Sequence, residues 1–433
     1  MSSDPKRRLA QGGQARLVAV RLLEKLSHPG RRLDSLSSQP EFAELSSRDK
    51  RLAMELAYGT ERWRGRLDFQ IEQLSQRPLE KVDRPVLWTL RTALYQMDFL
   101  RIPHRAAVHQ AVEDCRRLGK GSAAGFVNAL LRQWLRQPPD LPQDDSVQSL
   151  SVRFSHPQWL VRRYLERWGS ERTLQLLKKN NSLPEGYLWV NPCKASLDWF
   201  CRRLEEEGIA YQIYPSLPNC LLVPSSLARH PLYRQGYCFF MDAASQKVAW
   251  LAPIEGRRRL GDLCSAPGGK AFVLAARMEK GSALHCTDLV PGRLESVRRR
   301  ARLYRLQGLS YSVADWARWP TFRAAFDFVL ADVPCSGLGT LSSNPDIRWK
   351  FQEDGFKRMQ ERQIRIIENA FTALRPGGEL LYSTCSTEPE ENEQVVEEFL
   401  SRQPCAQRCA EDFRSFPLRH DGEGFYAARI RHI

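Results

Sequence analysis

Two cysteines stand where this chain can do chemistry. Cys335 follows a proline in Phe326-Asp-Phe-Val-Leu-Ala-Asp-Val-Pro-Cys-Ser-Gly-Leu-Gly-Thr340, an apolar run that reads as a buried strand ending on Asp332 and the turn-making Pro334. Cys385 ends a second run of the same kind, Gly378-Glu-Leu-Leu-Tyr-Ser-Thr-Cys385. A lone cysteine is usually a small core residue; thiols at strand ends are better placed to react. The chemistry such groups suit is the activation of a nucleic-acid base. Carbon 5 of cytosine is a poor nucleophile until something adds to carbon 6, and a thiolate can make that addition. The ring then becomes an enamine able to attack a methyl donor, after which the C5 proton must leave and the thiol depart. A site for this needs a nucleophilic cysteine, an acid or hydrogen-bond partner at N3, and a base. Asp332, Cys335 and Cys385 supply those types.

Positioning them requires a sheet. From residue 240 onward strands and helices alternate: strand 259–264, helix 270–278, strand 283–288, helix 291–306, strand 310–315, strand 326–332, helix 356–374, the turn Arg375-Pro-Gly-Gly378, strand 379–385 and helix 389–401. This pattern predicts an α/β, Rossmann-like doubly wound parallel sheet, whose ligands bind outside the carboxyl ends of strands. The loop Asp262-Leu-Cys-Ser-Ala-Pro-Gly-Gly-Lys270 joins a strand to a helix through two glycines, which let backbone N–H groups approach a ligand. It is neither GxGxxG nor a P-loop, which disfavours a dinucleotide or ATP. Asp288 and Asp315, at the ends of the next two strands, suit ribose hydroxyls and an adenine amino group. A glycine loop with two acidic strand ends fits an adenosyl ligand without polyphosphate, S-adenosylmethionine. The bland alternative is that both aspartates only cap the following helices.

The chain of 433 residues is long enough for two or three domains. Residues 14–137 read as a helical bundle, 138–150 as a proline-rich linker, 151–238 as a small α/β extension of β-α-β-β order, and 239–433 as the catalytic domain. In the extension the strands are 187–190, 210–214 and 220–223. Asn128, inside an apolar helical stretch, is expected to be a hydrogen-bonded structural residue. The formal net charge of +15 calls for a polyanionic partner, most commonly nucleic acid. Residues 1–137 hold 25 Lys and Arg against 15 Asp and Glu, so +10 of that charge lies in the first third. The arginines at 293, 298, 299, 300, 302 and 305 read as a solvated helix face.

Eleven cysteines without a CxxC pair argue against a disulfide framework and suggest no metal site. With no signal-like N-terminus and no apolar run of about 18 residues or more, a reducing, cytoplasmic compartment is expected. Nothing implies a membrane or an oligomer.

These residues also match a known family. Asp332-Val-Pro-Cys-Ser-Gly-Leu-Gly-Thr340, Asn344-Pro-Asp-Ile-Arg-Trp349, Ser383-Thr-Cys-Ser386 and Ala266-Pro-Gly-Gly-Lys270 resemble the RNA cytosine-C5 methyltransferases. Leu56-Ala-Tyr-Gly-Thr60, Leu94-Tyr-Gln96 and Gly125-Phe-Val-Asn-Ala-Leu-Leu-Arg132 resemble the NusB-like RNA-binding domain. Together they resemble the bacterial 16S ribosomal RNA methyltransferase B type. The resemblance implies methyl transfer from S-adenosyl-L-methionine to C5 of a 16S rRNA cytosine through a cysteine–C6 adduct. It implies Cys385 as the nucleophile, Cys335 as the cysteine assisting release and Asp332 as the carboxylate facing the base. It implies cofactor contacts from Cys264, Ser265, Ala266, Pro267, Gly268, Gly269, Lys270, Asp288, Asp315 and Asp332. DNA cytosine-C5 enzymes instead use the cysteine after proline. The alternatives are a paralogue acting on tRNA or another rRNA site, and an RNA-binding module with an inert catalytic half. The chain makes two departures from the family: Ser342 and Ser343 replace a basic pair, which could alter RNA contacts, and Met241 replaces a glutamine.

Overall fold

The computed structural model describes residues 5–28, 31–33, 39–418 and 422–433, with side chains described from residue 13 onward. They divide into two compact units, Met1–Ser182 with Asn344–Lys350, and Leu183–Ser343 with Phe351–Ile433.

The described residues of the first unit form helices and turns. Its principal helices are Pro5–Leu26, Ser47–Arg62, Arg64–Ser75, Arg84–Phe99, His104–Arg117, Ala124–Arg136, Val147–Phe154 and Gln158–Asn180. Their starts follow from local chemistry. Ser46 accepts a 3.1 Å bond from the Asp49 N–H, as an N-cap serine should, and Pro85 occupies the first turn of its helix. Leu22, Leu56, Leu94, Val127 and Leu131 close the core. Helix Val147–Phe154 begins inside the stretch expected to be linker, because Ser146 caps it.

The Asn344–Lys350 segment, far away in sequence, completes this unit. Arg348 is fully buried. Its guanidinium donates to the Ser155 carbonyl at 3.0 Å, the Asn181 amide oxygen at 2.8 Å and the Asn180 carbonyl at 3.0 Å. Burial pushes its pKa down to about 9 and keeps neighbouring His156 neutral. Trp349 Nε1 donates to the Glu61 carbonyl at 2.9 Å. The Asn-Pro-Asp motif, which from sequence resembles that of the RNA cytosine-C5 methyltransferases, therefore lies in the helical unit.

The second unit contains two sheets. The smaller has strands β1 (Tyr187–Val190), β2 (Gln212–Ile213), β3 (Cys220–Leu222) and β4 (Cys238–Phe240), antiparallel in the order β2-β3-β1-β4. The expected three strands are present, and β4 adds a fourth that its position at the expected domain boundary concealed. The larger sheet contains β5 (Arg259–Asp262), β6 (Ala283–Asp288), β7 (Leu309–Val313), β8 (Phe326–Asp332), β9 (Leu374–Thr384), β10 (Ala406–Arg408), β11 (Phe413–Arg414) and β12 (Tyr426–His432). Its order is β10-β12-β9-β8-β5-β6-β7, with β11 paired to β12. The strands β5 to β9 are parallel, as expected; β12 runs antiparallel to β9. Its sequence, Tyr-Ala-Ala-Arg-Ile-Arg-His, gave no strand signal because its arginines break the apolar run.

Alternation along β8 splits the core. Phe328 and Leu330 face helices Ala243–Trp250, Gly269–Arg277 and Pro291–Leu303, while Val329 and Ala331 face Gly355–Thr372 and Glu393–Arg402. The expected turn 375–378 is an excursion within β9: Phe326 pairs with Leu374 and Phe328 with Glu379, and Gly377 takes φ 79°.

A buried carboxyl pair fastens the loops of this unit. Asp242 caps helix Ala243–Trp250 by accepting from Ala244 N at 2.9 Å, and it also accepts from Glu423 N at 3.0 Å. The Glu423 carboxyl accepts from Ser342 Oγ at 3.2 Å and Ser343 N at 3.3 Å. Burial, and then the Asp242 charge, push Glu423 up to about 8; burial raises Asp242 as well, with Glu185 adding to it.

Two outcomes follow from these buried groups. Arg348→Ala strands three acceptors and should cost about 3–5 kcal/mol, seen as a lower urea midpoint of the full chain. Arg348→Lys should not restore it, because one ammonium cannot replace the guanidinium fork. Glu423 binds its proton more tightly folded than unfolded, so its stabilisation is full at low pH and is lost as pH rises through about 8. Thermal midpoints should therefore fall between about pH 4.5, the ordinary Glu value, and about pH 8, and Glu423→Gln should flatten that decline.

Candidate active site

The parallel register of β8 and β9 sets Asp332 opposite Ser383. The ladder continues one step further through Val333 N to the Ser383 carbonyl, at 2.9 Å. The two chains then turn together, and the thiols meet: Cys335 Sγ lies 3.3 Å from Cys385 Sγ, and Cys385 N donates to Cys335 Sγ at 3.3 Å. The hydrogen bond to Cys385, followed by burial, raises Cys335 well above the ordinary thiol range. Cys335 is therefore a thiol at neutral pH, in hydrogen-bond contact with its neighbour.

A second contact repeats the first one residue on. Ser336 Oγ and Ser386 Oγ are 3.2 Å apart. Between the loops sits Glu391, fully buried, accepting from Ser336 N at 2.6 Å, Ser336 Oγ at 2.5 Å and Gln363 Nε2 at 3.2 Å. Its own carbonyl accepts from Tyr382 OH at 2.7 Å. Sequence reasoning missed this residue, because Glu388-Pro-Glu-Glu391 has the look of a solvated acidic turn. The signal available was the repeated Cys-Ser pair, whose serines need a common partner.

Close backbone packing holds the same loops from the other side. Gly339 N donates to the Cys385 carbonyl at 3.1 Å and Gly424 N to the Gly339 carbonyl at 2.8 Å. A Cβ on Gly339 would fall 2.0 Å from the Gly424 oxygen, so only glycine fits there.

Asp332 lies beside the thiol pair with two partners. Lys270 Nζ bonds its Oδ2 at 2.7 Å, and Ser383 Oγ donates to its Oδ1 at 2.7 Å. Lys270 is largely buried and also stands over the Phe425 ring, 5.0 Å from its centroid. Asp262, missed as a separate feature, is the third charge in this neighbourhood. Burial, then Asp332, push it up to about 7, and neither of its carboxyl oxygens has a hydrogen-bond partner.

The glycine loop behaves as its sequence suggests. Gly268 has φ 104°, and a Cβ there would lie 2.4 Å from the Phe272 ring. It leads into helix Gly269–Arg277. Ser265 N donates to the Thr287 carbonyl at 2.8 Å, tying the loop to β6. Ala266 N donates to Asp288 at 3.2 Å, and Arg293 and Arg300 brace the Ala266 and Pro267 carbonyls, both at 3.1 Å. Arg293 stays exposed, as expected of that helix face, while Arg300 is half-buried against the loop. Burial and the nearby carboxylates raise the Cys264 thiol, which makes it a poor nucleophile.

Asp288 ends β6 as expected, whereas Asp315 lies two residues beyond β7. Both bond the backbone locally: Asp288 Oδ1 accepts from Val290 N at 3.0 Å and Asp315 Oδ1 from Ala317 N at 3.1 Å. Each therefore closes a local turn and neither caps a helix, since Val290 is the N-cap of Pro291–Leu303 and residues 316–318 form a turn. The unpartnered oxygens of Asp262 and the Gly268–Gly269 backbone at a helix start offer acceptors and donors fitting a zwitterionic adenosyl ligand. Among the described residues no cluster of three or more His, Cys, Asp or Glu could hold a metal ion, and no helix is long and apolar enough to cross a membrane.

Comparison with known proteins agrees with this architecture. Residues 248–431 match the family described as 16S rRNA methyltransferase RsmB/F, residues 13–136 the NusB family, and residues 156–228 an RsmF/B-like ferredoxin-like domain. The ribosomal RNA small subunit methyltransferase B of Cronobacter sakazakii is 31% identical over 427 residues, covering 96% of this chain and 98% of that one. Its counterpart from Sodalis glossinidius is 32% identical, covering 96% and 97%. Among solved structures, PH0851 aligns over 100% of this chain and 99% of its own, with TM-score 0.84 and 22% identity. NSun6 from Pyrococcus horikoshii, solved with SFG, aligns over 64% of this chain and 98% of its own, with TM-score 0.57 and 19% identity. These likenesses in structure establish the fold, and the full-length likeness in sequence establishes more: the chain belongs to the family of 16S ribosomal RNA small subunit methyltransferases B.

Proposed function

We propose that the chain methylates carbon 5 of a cytosine in 16S rRNA, with S-adenosylmethionine as donor and Cys385 as nucleophile. The observation that carries this reading is the 3.3 Å approach of two thiols beside the Asp332 carboxylate at the carboxyl ends of adjacent parallel strands. One thiol would suit many functions; two in contact suit a reaction in which a covalent bond to the substrate must be made and then broken.

When bound, S-adenosylmethionine supplies an electrophilic methyl group. The loop 264–270 with Asp288 and Asp315 would hold it, and Asp262 offers acceptors for its ammonium. Cys385 adds to C6 as the thiolate, and Cys335, held as a thiol, donates to the sulfur and so lowers the cost of its charge. Asp332 faces the N3 edge of the base, its other contacts fixed by Lys270 and Ser383. After methylation a solvent base takes the C5 proton, the electrons of that C–H bond restore the C5–C6 double bond, and the C6–S bond breaks so that Cys385 leaves as thiolate, with Cys335 assisting that departure. The target base must be unpaired or leave its stack to reach two thiols at a loop. A cytoplasmic setting and an RNA partner accord with such a substrate.

Three variants test this. Cys385→Ser should abolish turnover, read as methyl incorporation into 16S rRNA; full turnover would overturn the assignment. Cys335→Ala should instead accumulate protein covalently attached to RNA, visible as a band stable to denaturation. Glu391→Ala should lower kcat about 100-fold or more, because displacing reacting groups by about 1 Å costs that much, with substrate affinity retained. Bisulfite sequencing of RNA from cells lacking the protein identifies the cytosine, and a lost mark in tRNA would favour the paralogue reading.

A further inference from the structure

The thiol pair has a second chemistry open to it that methyl transfer does not use. Cys335 Sγ and Cys385 Sγ stand 3.3 Å apart, the one thiol–thiol contact among the described residues. A disulfide holds its sulfurs about 2.05 Å apart, so side-chain movement of little more than an ångström would close the gap. The backbone is fastened on both sides of the pair. Two residues before each cysteine, Val333 N donates to the Ser383 carbonyl at 2.9 Å; one residue after each, Ser336 Oγ lies 3.2 Å from Ser386 Oγ. Glu391 anchors that second point by accepting from Ser336 N at 2.6 Å and Ser336 Oγ at 2.5 Å. The two thiols are thus held facing each other, and such enforced proximity favours a reaction between them over one with any outside thiol.

Access and neighbourhood set this pair apart from the other cysteines. Both thiols are partly exposed, as a site that admits a base requires, so a molecule as small as a peroxide reaches them. Cys115, Cys201, Cys220, Cys238 and Cys286 are buried, and Cys193 and Cys405 are exposed without a thiol in contact. A cysteine oxidised alone passes from sulfenic to sulfinic acid, which ordinary reductants do not reverse; one oxidised beside a second thiol condenses with it and stops at the disulfide. A disulfide is returned to two thiols by exchange with a dithiol. The catalytic cysteines therefore carry the arrangement that keeps oxidation reversible.

We propose that Cys335 and Cys385 form a reversible disulfide when a hydroperoxide enters the site, which takes both thiols out of the methylation cycle. Cys385 loses its proton to solvent and attacks one peroxide oxygen. The O–O bond breaks, the leaving hydroxide takes up a proton to become water, and the sulfur is left as a sulfenic acid. Cys335, held as a thiol, then attacks that sulfur; its S–H proton goes to the departing hydroxide, and a second water leaves. Two thiols and one hydrogen peroxide thus give one disulfide and two waters, the sulfurs losing two electrons and the peroxide gaining them. A dithiol reductant supplies two electrons and two protons to reverse the state. The bond itself follows from the contact of the sulfurs; its consequence, loss of methylation, rests on the reading of Cys385 as the nucleophile.

The test treats the full-length protein with hydrogen peroxide, blocks the remaining thiols with iodoacetamide and maps unreduced peptides by mass spectrometry. The peptides bearing Cys335 and Cys385 should appear joined, lighter by two hydrogen atoms than the separate pair. Methyl incorporation into 16S rRNA should fall in step with the joined fraction, so that a sample about nine-tenths joined keeps about a tenth of its activity, and dithiothreitol should restore it. In Cys335→Ala the same dose should carry Cys385 to sulfinic acid, and dithiothreitol should then fail to recover its labelling by iodoacetamide. Cys335→Ser gives the same readout should the alanine variant melt early. Cys193→Ser combined with Cys405→Ser, which removes the two exposed thiols, should respond as the unaltered protein does. Absence of the joined peptides overturns the proposal, and so does a loss of activity that dithiothreitol does not reverse or that vanishes in the Cys193 and Cys405 double variant. Joined peptides with methylation undiminished would leave the disulfide standing and overturn instead the reading of Cys385 as the nucleophile.

Discussion

The catalytic half depends on one pairing, β8 beside β9 in parallel. Strands adjacent in a sheet deliver residues at their carboxyl ends to a common point, and here the register brings Asp332 level with Ser383. Everything chemically notable follows within a few residues: the thiols at 3.3 Å, the serine hydroxyls at 3.2 Å, and Glu391 accepting from both chain and hydroxyl of Ser336. A slip of one residue would turn every side chain to the opposite face and separate the pair. The register is defended from both faces, since Phe328 and Leu330 are buried on one side and Val329 and Ala331 on the other. Glu391 then fixes what strand pairing cannot, the path of the two loops beyond the last ladder bond.

Charge in this neighbourhood is arranged so that few groups are ionised without a partner. Lys270 and Asp332 form a close pair, and Asp262 behind them is pushed up to about 7 by burial and by Asp332. A third full charge there would face the high cost of an unpaired ion in a poor solvent. The neighbourhood can thus accept a cation more readily than an anion, since Asp262 ionises when a positive group arrives. That asymmetry suits a sulfonium-bearing donor with an ammonium tail. The same logic keeps Cys335 protonated, since its bond to Cys385 and its burial both oppose a negative sulfur there.

Much of this was legible in the sequence, and what was not has physical causes. The strand endings at Asp332 and Cys385 were readable because parallel buried strands are long apolar runs, and the glycine loop because close backbone approach demands glycine. The strand β12 was hidden because its arginines 429 and 431 turn to Glu379, bonding it at 2.8 and 2.9 Å, so a core-sheet strand carries charges that mimic a loop. Glu391 was hidden because burial of an acid cannot be seen in a sequence that shows three acids close together. Arg348 was hidden for the converse reason: the motif around it resembles one of the methyltransferase family, yet its side chain is spent inside the helical unit. Local patterns report strands and turns; the partners of a buried charge come from distant parts of the chain.

The two serines at 342 and 343 sharpen that point. Their replacement of a basic pair reads from sequence as a change in how RNA is held. Ser342 is buried, however, and its hydroxyl, with the Ser343 N–H, faces the carboxyl of Glu423. A guanidinium at that place would keep Glu423 ionised and pair it. A hydroxyl and an amide satisfy its oxygens without neutralising it, so burial and Asp242 decide its state and hold the proton on. The serines therefore meet a neutral acid held by two weak donors, where a charged pair would need full desolvation. Because the Gly422–Phe425 strip that carries Glu423 also packs Gly424 against Gly339, beneath the Cys385 carbonyl, this arrangement reaches the thiol through backbone contacts. What changes at 342 and 343 is how that strip is fastened, and the positions of the reacting groups are kept by Glu391 and the β8–β9 register.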